Sequence, residues 1–170
     1  ELALTLESEL RKRGHSVFLD RRTTNTLEWA RTLEREVQQA DLIVPLVSAA
    51  SAQSELLAYE LELAVQVAQR QGGWPRILPV RLYYKGPLSE TLSSILTPIE
   101  FEWDPESERY RSHLVQWNSP ADDLAIADRI HQRLLELDRE RRETASTPTV
   151  SRARTVRLLE PLGGAVPLDS

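Results

Sequence analysis

Cysteine and methionine are both absent from the 170 residues, and no apolar run approaches the ~20 residues that a membrane-spanning helix needs. Without thiols the chain has neither a disulfide framework nor a thiolate zinc site. Without methionine, Glu1 is not the start of a translated chain, and the expectation is a piece of a longer protein. No signal-peptide pattern stands at the beginning, so a cytoplasmic setting is the default expectation. Positive charge is also in deficit. A net charge of −5 argues against a dominant nucleic-acid interface.

What is present fits one domain with a sizeable core plus an appendage. The organising stretch runs from Asp41 to Arg70. Asp41-Leu-Ile-Val-Pro-Leu-Val47 is a short, nearly continuous apolar run, the pattern of a strand buried on both faces. Ser48-Ala-Ala-Ser-Ala-Gln-Ser54 supplies a turn. From Ser54 the period becomes helical, with Leu57, Leu61, Ala64, Val65 and Ala68 stacked along one face. At about 100° per residue, Glu55, Tyr59, Glu62, Gln66, Gln69 and Arg70 share a polar face. Glu60 does not join them. It falls between the core stripe and a second apolar row of Leu56, Leu63 and Val67, which places a carboxylate at the margin of the core. Such a group either finds a cationic partner or serves as a catalytic acid in a cleft, and position alone leaves both readings open.

Upstream, Leu2, Ala3, Leu6 and Leu10 predict a helix that ends at Gly14 after the basic run Arg11-Lys-Arg13. His15 to Asp20 is strand-like. Because α/β domains alternate their elements, a helix followed at once by a strand implies an earlier strand, expected upstream of Glu1. Asp20 to Thr26 reads as an exposed loop, and its Arg21-Arg22 pair either holds a phosphate or is solvated. Trp29, Ala30, Leu33, Val37 and Ala40 predict a second helix that covers the sheet.

Downstream, Gly72-Gly73 closes the central helix and Arg76 to Leu82 predicts a strand. Pro45 and Pro79 each remove a ladder donor, so irregular pairing is expected near them. Tyr83 to Pro87 reads as a turn, Leu88 to Leu96 as a short helix, and Pro98 to Trp103, which alternates cleanly, as the last strand. Asp104 to Asn118 shows no clear pattern. Ser119-Pro-Ala-Asp122 starts a helix whose apolar face is supplied by Leu124, Ile130, Leu134 and Leu137. The Ser/Thr/Pro-rich stretch 144–154 reads as linker, and 155–170 as the lead-in to a further domain. His15, His113 and His131 show no metal-ligand spacing and are read as surface residues.

This order of elements, with Asp20 after the first strand, Trp29 in the following helix, and Ser48 before Ser54-Glu-Leu-Leu-Ala-Tyr-Glu60-Leu-Glu-Leu-Ala64, resembles a bacterial Toll/interleukin receptor (TIR) domain over roughly Leu2 to Trp103. The resemblance implies a flavodoxin-like fold, a doubly wound α/β architecture with a five-stranded parallel sheet. It places the domain at 1–143 and the linker and lead-in at 144–170. It also implies NAD+ glycohydrolase or cyclase activity, switched on by homotypic self-association and often serving bacterial antiphage immunity. NAD+ is then the substrate, with no cofactor and no metal. The family's catalytic Glu maps onto Glu60, and Ser48, Ser51, Ser54, Arg21, Leu56 and Tyr83 become the expected substrate-binding positions. Leu56 stands where catalytic relatives often carry Trp, so Tyr83, Tyr84 or Trp74 would have to supply a ring. The loop after Asp20 lacks the Pro-Gly of many relatives. Non-catalytic adaptors share the family, and the expected downstream partner is a sensor or ATPase-like module.

Two further readings belong to the same architecture. A nucleoside deoxyribosyltransferase-like enzyme also uses a Glu at a sugar carbon, but on a nucleoside. A two-component receiver domain fits poorly, since Ser48 stands where a phosphorylatable Asp would be needed.

Overall fold

The computed structural model describes residues 2–19, 26–144 and 154–159. Along the chain these form α1 (Leu2–Lys12), β1 (Ser16–Leu19), α2 (Thr26–Gln39), β2 (Leu42–Val47), α3 (Glu55–Arg70), β3 (Arg76–Ile77), β4 (Val80–Leu82), α4 (Glu90–Glu100), β5 (Phe101–Asp104), β6 (Arg109–Ser112), β7 (Val115–Trp117), a 3-10 turn (Pro120–Asp122), α5 (Asp123–Thr144) and β8 (Thr155–Leu159).

The main sheet runs β1-β8-β2-β4-β7, all parallel, with β3 also pairing to β2. Helices cover both faces, as an all-parallel sheet requires. The α1 and α5 side buries Leu6, Leu10, Ile130, Leu134 and Leu137 against Leu42, Val44, Leu46, Val156 and Leu158. On the other side, α2, α3 and α4 bury Leu33, Val37, Leu57, Leu61, Leu92 and Leu96 against Ile43, Val47 and Leu159. Successive strand residues point to opposite faces, so β2 and β8 feed both cores. This is the doubly wound architecture expected from the sequence.

Four larger features differ from expectation. Residues 155–159, expected to lead into a further domain, form β8 in the middle of the sheet. The strand pairs with both β1 and β2, in the place the first strand takes in a flavodoxin-like order. A five-residue stretch of Thr, Val, Arg and Leu carries no helical period, and its neighbours give it partners on both sides. Its polar groups are matched too. The Thr155 amide donates to Asp41 Oδ2 at 2.8 Å, Arg154 meets Asp138 at 2.9 Å, and Arg157, 2% exposed, pairs with Glu36.

Second, Pro98-Ile-Glu100 continues α4 instead of starting a strand, and the Phe101 amide closes the helix on Thr97 O. Glu100 decides this: its carboxylate is 1% exposed and binds Arg81 through two contacts, Nε–Oε2 at 2.8 Å and Nη2–Oε1 at 2.9 Å. Phe101–Asp104 then pairs antiparallel with Arg109–Ser112 as a separate ribbon, and the last sheet strand is Val115–Trp117.

Third, His15 is buried at 4% exposure, and its Nε2 lies 2.8 Å from His131 Nδ1 across to α5. Burial, reinforced by His131, Arg154 and Arg13, pushes its pKa down from 6.5 to about 4. Fourth, Leu124 is 57% exposed, and Ile126 and Ala127 take its place in the core.

Pro79 divides the predicted strand into β3 and β4, as expected, whereas Pro45 stays within β2 in an unbroken register with β8, opposite Leu159, rather than disturbing the pairing. Asp122 Oδ2 accepts the Asn118 and Ser119 amides at the start of the last helix. Residues 145–153 and 160–170 of the predicted linker and lead-in lie outside the described residues.

Candidate functional site

Ligands of doubly wound sheets bind beyond the carboxyl ends of the strands. At that end of β2 the chain passes through the serine turn into α3. Ser54 caps the helix, its Oγ accepting the Leu57 amide at 3.1 Å. Ser48 and Ser51 bind each other. Ser51 Oγ accepts the Ser48 amide at 2.8 Å, and the two hydroxyls lie 3.3 Å apart. Ser51 is 1% exposed. The Ser89 amide, at the start of α4, donates to Ala52 O at 2.9 Å and ties the turn to its neighbour. The serines therefore act first as structure, with backbone amides already committed inside the turn.

Glu60 lies deeper than its sequence position suggests, at 2% exposure. The reason is the company of α3, which has α2 on one flank and α4 on the other. Glu62, Val65, Gln66 and Gln69 line a groove of about 640 Å³ against Glu90, Thr91, Ser94 and Ile95 of α4. The row containing Leu56, Glu60, Leu63 and Val67 occupies the opposite side of the helix and so faces α2. Leu56 and Leu63 are half-buried there and Val67 is buried. Arg21 lies outside the described residues, as does the side chain of Trp29.

One strand over, Val47 pairs with Arg81, so the chain after β4 emerges beside the serine turn. Tyr83 is 75% exposed and holds φ +48°, a left-handed conformation that costs a non-glycine residue about 1 kcal/mol or more. Its amide donates to Trp117 O at 2.7 Å, and Trp117 Nε1 donates to Asp123 Oδ1 at 2.7 Å. Behind it, Arg81 also donates to Gly86 O at 3.4 Å, and the Tyr84 hydroxyl donates to Pro87 O. A Cβ at position 86 would come within 2.6 Å of that hydroxyl, so a larger residue there requires the Tyr84 ring to shift.

Trp74 does not take part. It lies at the other end of the sheet beneath two guanidinium groups, Arg141 at 4.0 Å and Arg76 at 4.7 Å, beside a hollow of about 740 Å³ lined by Gln38, Gln71 and Thr155 among others. Among the described residues, no group of three or more His, Cys, Asp or Glu could hold a metal ion, and no helix is long and apolar enough to cross a membrane.

The Arg81–Glu100 clamp was not anticipated, though its signal was present. An arginine inside Ile-Leu-Pro-Val-Arg-Leu82 demands a partner once the strand is buried. The partner's identity depends on where α4 ends, which local pattern does not reveal.

A TIR domain family model matches residues 1–115, more than half of the chain. The chain belongs to the TIR domain family. No curated protein and no solved structure matches it. The matched span of the TIR domain ends at the first residue of β7, so α5 and the inserted strand β8 lie beyond it.

Proposed function

We propose that this TIR domain is an NAD+ glycohydrolase or cyclase whose active form is self-associated, acting in the cytoplasm in bacterial antiphage immunity. The observation that carries the proposal is Glu60. A carboxylate 2% exposed, on the helix that follows the carboxyl end of β2, stands at the end of the sheet where doubly wound folds bind their ligands.

In the proposed reaction the bond between ribose C1′ and the nicotinamide nitrogen breaks, and its electron pair leaves with nicotinamide as a neutral base. The resulting oxocarbenium character is stabilised by the Glu60 carboxylate. Water then adds at C1′ and loses a proton, or a nitrogen of the adenine ring attacks and closes the cycle. No metal is needed. Tyr83, exposed beside the serine turn, offers the ring that Leu56 cannot. Ser48, Ser51, Ser54 and Arg21 are assigned to the dinucleotide, the serines by reorganising a turn that is closed on itself here. Because Glu60 is covered in the single chain, movement at the α2–α3 flank on self-association is what admits the ribose.

Nicotinamide release from NAD+ by the full-length protein at high concentration tests this, beside Glu60→Gln. Release by the wild type, cut by a factor of ~10² or more in a variant that still assembles, is the expected result. Absent release from assembled wild type, or release undiminished in the variant, overturns it.

The self-bonded serines support a second reading, a non-catalytic interaction module in which Glu60 is structural. Glu60→Gln would then alter stability alone. Turnover of a nucleoside without nicotinamide release from NAD+ would instead favour the deoxyribosyltransferase-like alternative.

A further inference from the structure

Among the described residues two other than glycine hold a positive φ, Tyr83 at +48° and Glu108 at +54°. Glu108 lies in the tight turn between β5 and β6, where such an angle helps to close the hairpin. Tyr83 lies in no hairpin. It follows the last residue of β4, and its amide extends the ladder to β7 by one rung, donating to Trp117 O at 2.7 Å. A glycine or an asparagine would turn the chain there at less cost. Nor does packing compensate for a tyrosine that is 75% exposed. Strain held at an exposed aromatic residue, at the ligand-binding end of the sheet, points to a role for the ring.

The loop that carries the ring is held at three points. Trp117 holds Tyr83, and its own indole Nε1 is fixed on Asp123 Oδ1 at 2.7 Å. The Gly86 carbonyl accepts from the buried Arg81, and the Ser89 amide donates to Ala52 O of the serine turn at 2.9 Å. The loop therefore spans the carboxyl end of the sheet from β7 to the start of α3. Tyr84 is occupied within it, its hydroxyl on Pro87 O and its ring 6.0 Å from the Arg81 guanidinium, so Tyr83 presents the open aromatic face. Lys85 is exposed beside it and in no ion pair among the described residues. An aromatic face attracts a cation, and an ammonium attracts phosphate. The oxidised dinucleotide carries both complements, a positively charged pyridinium ring and a pyrophosphate. The reduced form keeps the pyrophosphate, but its nicotinamide ring is neutral.

We infer that Tyr83 makes the proposed site prefer the oxidised over the reduced dinucleotide, its face stacking on the pyridinium, and that Trp117 and Asp123 are positioning residues that hold it there. Lys85 serves the pyrophosphate common to both forms. This rests on NAD+ being the substrate and names what reads its nicotinamide end. The positive charge leaves the ring as the bond to C1′ breaks, so the contact belongs to the bound ground state. It lowers KM and does not raise kcat.

Calorimetric titration of the full chain with NAD+ and with NADH tests it, in the Glu60→Gln background so that no cleavage intervenes and with circular dichroism confirming folding. The parent is expected to bind NAD+ about fivefold or more tighter than NADH. Tyr83→Phe should keep that preference and Tyr83→Ala abolish it. Trp117→Phe and Asp123→Ala should reduce it although the ring remains, whereas Asp123→Asn, which still offers an oxygen acceptor, should keep it. Lys85→Gln should weaken both forms alike. In turnover by the chain with Glu60 intact, Tyr83→Ala should raise KM and leave kcat undiminished. The strain is read without ligand: Tyr83→Gly should unfold at higher denaturant than Tyr83→Ala, the reverse of the order at a negative φ. The inference is overturned by equal affinity for the two forms, by a preference that survives Tyr83→Ala or follows Lys85 instead, by one undiminished in both Trp117→Phe and Asp123→Ala, or by Tyr83→Ala being the more stable variant. Preference for NAD+ without nicotinamide release by the wild type would sink the catalytic reading alone, and release without the preference this inference alone. Binding of neither form would overturn both.

Discussion

At the scale of single residues, the deepest commitments are buried charges. Arg81 and Glu100 are 7% and 1% exposed and satisfy each other through two short contacts, so removing one leaves the other desolvated and alone. Glu100→Ala is expected to cost about 3–5 kcal/mol in chemical denaturation, whereas Arg81→Met combined with Glu100→Leu should cost clearly less. Equal costs for the single and the double change would mean that the pair serves only as packing. His15 makes a separate prediction. Its pKa is about 4 in the folded chain and 6.5 when exposed, so the unfolded state takes up the proton first as pH falls. Stability from this group is complete above about pH 6.5 and is lost on the way down to about 4. The loss is at most about 3–4 kcal/mol, since each pKa unit is worth about 1.4 kcal/mol. His131, Arg154 and Arg13 face the ring, with Asp138 and Asp128 as the arginines' own partners. Those carboxylates persist in His15→Gln, so a denaturation midpoint that changes less between pH 6.5 and 4 in that variant isolates the histidine. An unchanged slope would exclude it.

At the scale of elements, legibility followed periodicity. The buried strand Leu42–Val47, the Ser54 cap and the helix that follows were readable because an apolar run, a capping residue and a helical repeat occupy adjacent stretches. Glu60 was picked out by the same wheel, although its depth was not, because depth depends on α2 and α4 flanking the helix. Pro98 to Trp103 misled because alternation is a local signal, while the end of α4 is fixed by Glu100 reaching Arg81 nineteen residues earlier. His15 and β8 were hidden for a related reason. One touches His131 and the other pairs with strands from the opposite end of the chain, and neither partner is visible in a short window.

At the scale of the whole molecule, β8 and β2 each feed both layers of the core. Val156 and Leu158 belong to the core under α1 and α5, Leu159 to the core under α2, α3 and α4, and Arg154, Thr155 and Arg157 are tied to Asp138, Asp41 and Glu36. A central parallel strand with partners on both sides has no way to leave without exposing two sheet edges. Loss of packing on one face should therefore be felt on the other. Leu158→Ala removes a fully buried side chain and is expected to cost about 2–5 kcal/mol. Trp74 and Trp117 pack against the α1–α5 core, so in a background with Trp29→Phe and Trp103→Phe tryptophan fluorescence follows that layer, whereas far-ultraviolet circular dichroism follows all the helices. With β8 coupling the layers, both signals should move to a lower midpoint together in the variant. Midpoints that separate, with fluorescence lost first, would mean that the α2–α4 layer holds β2 and β4 unaided and that β8 is an accessory to one face.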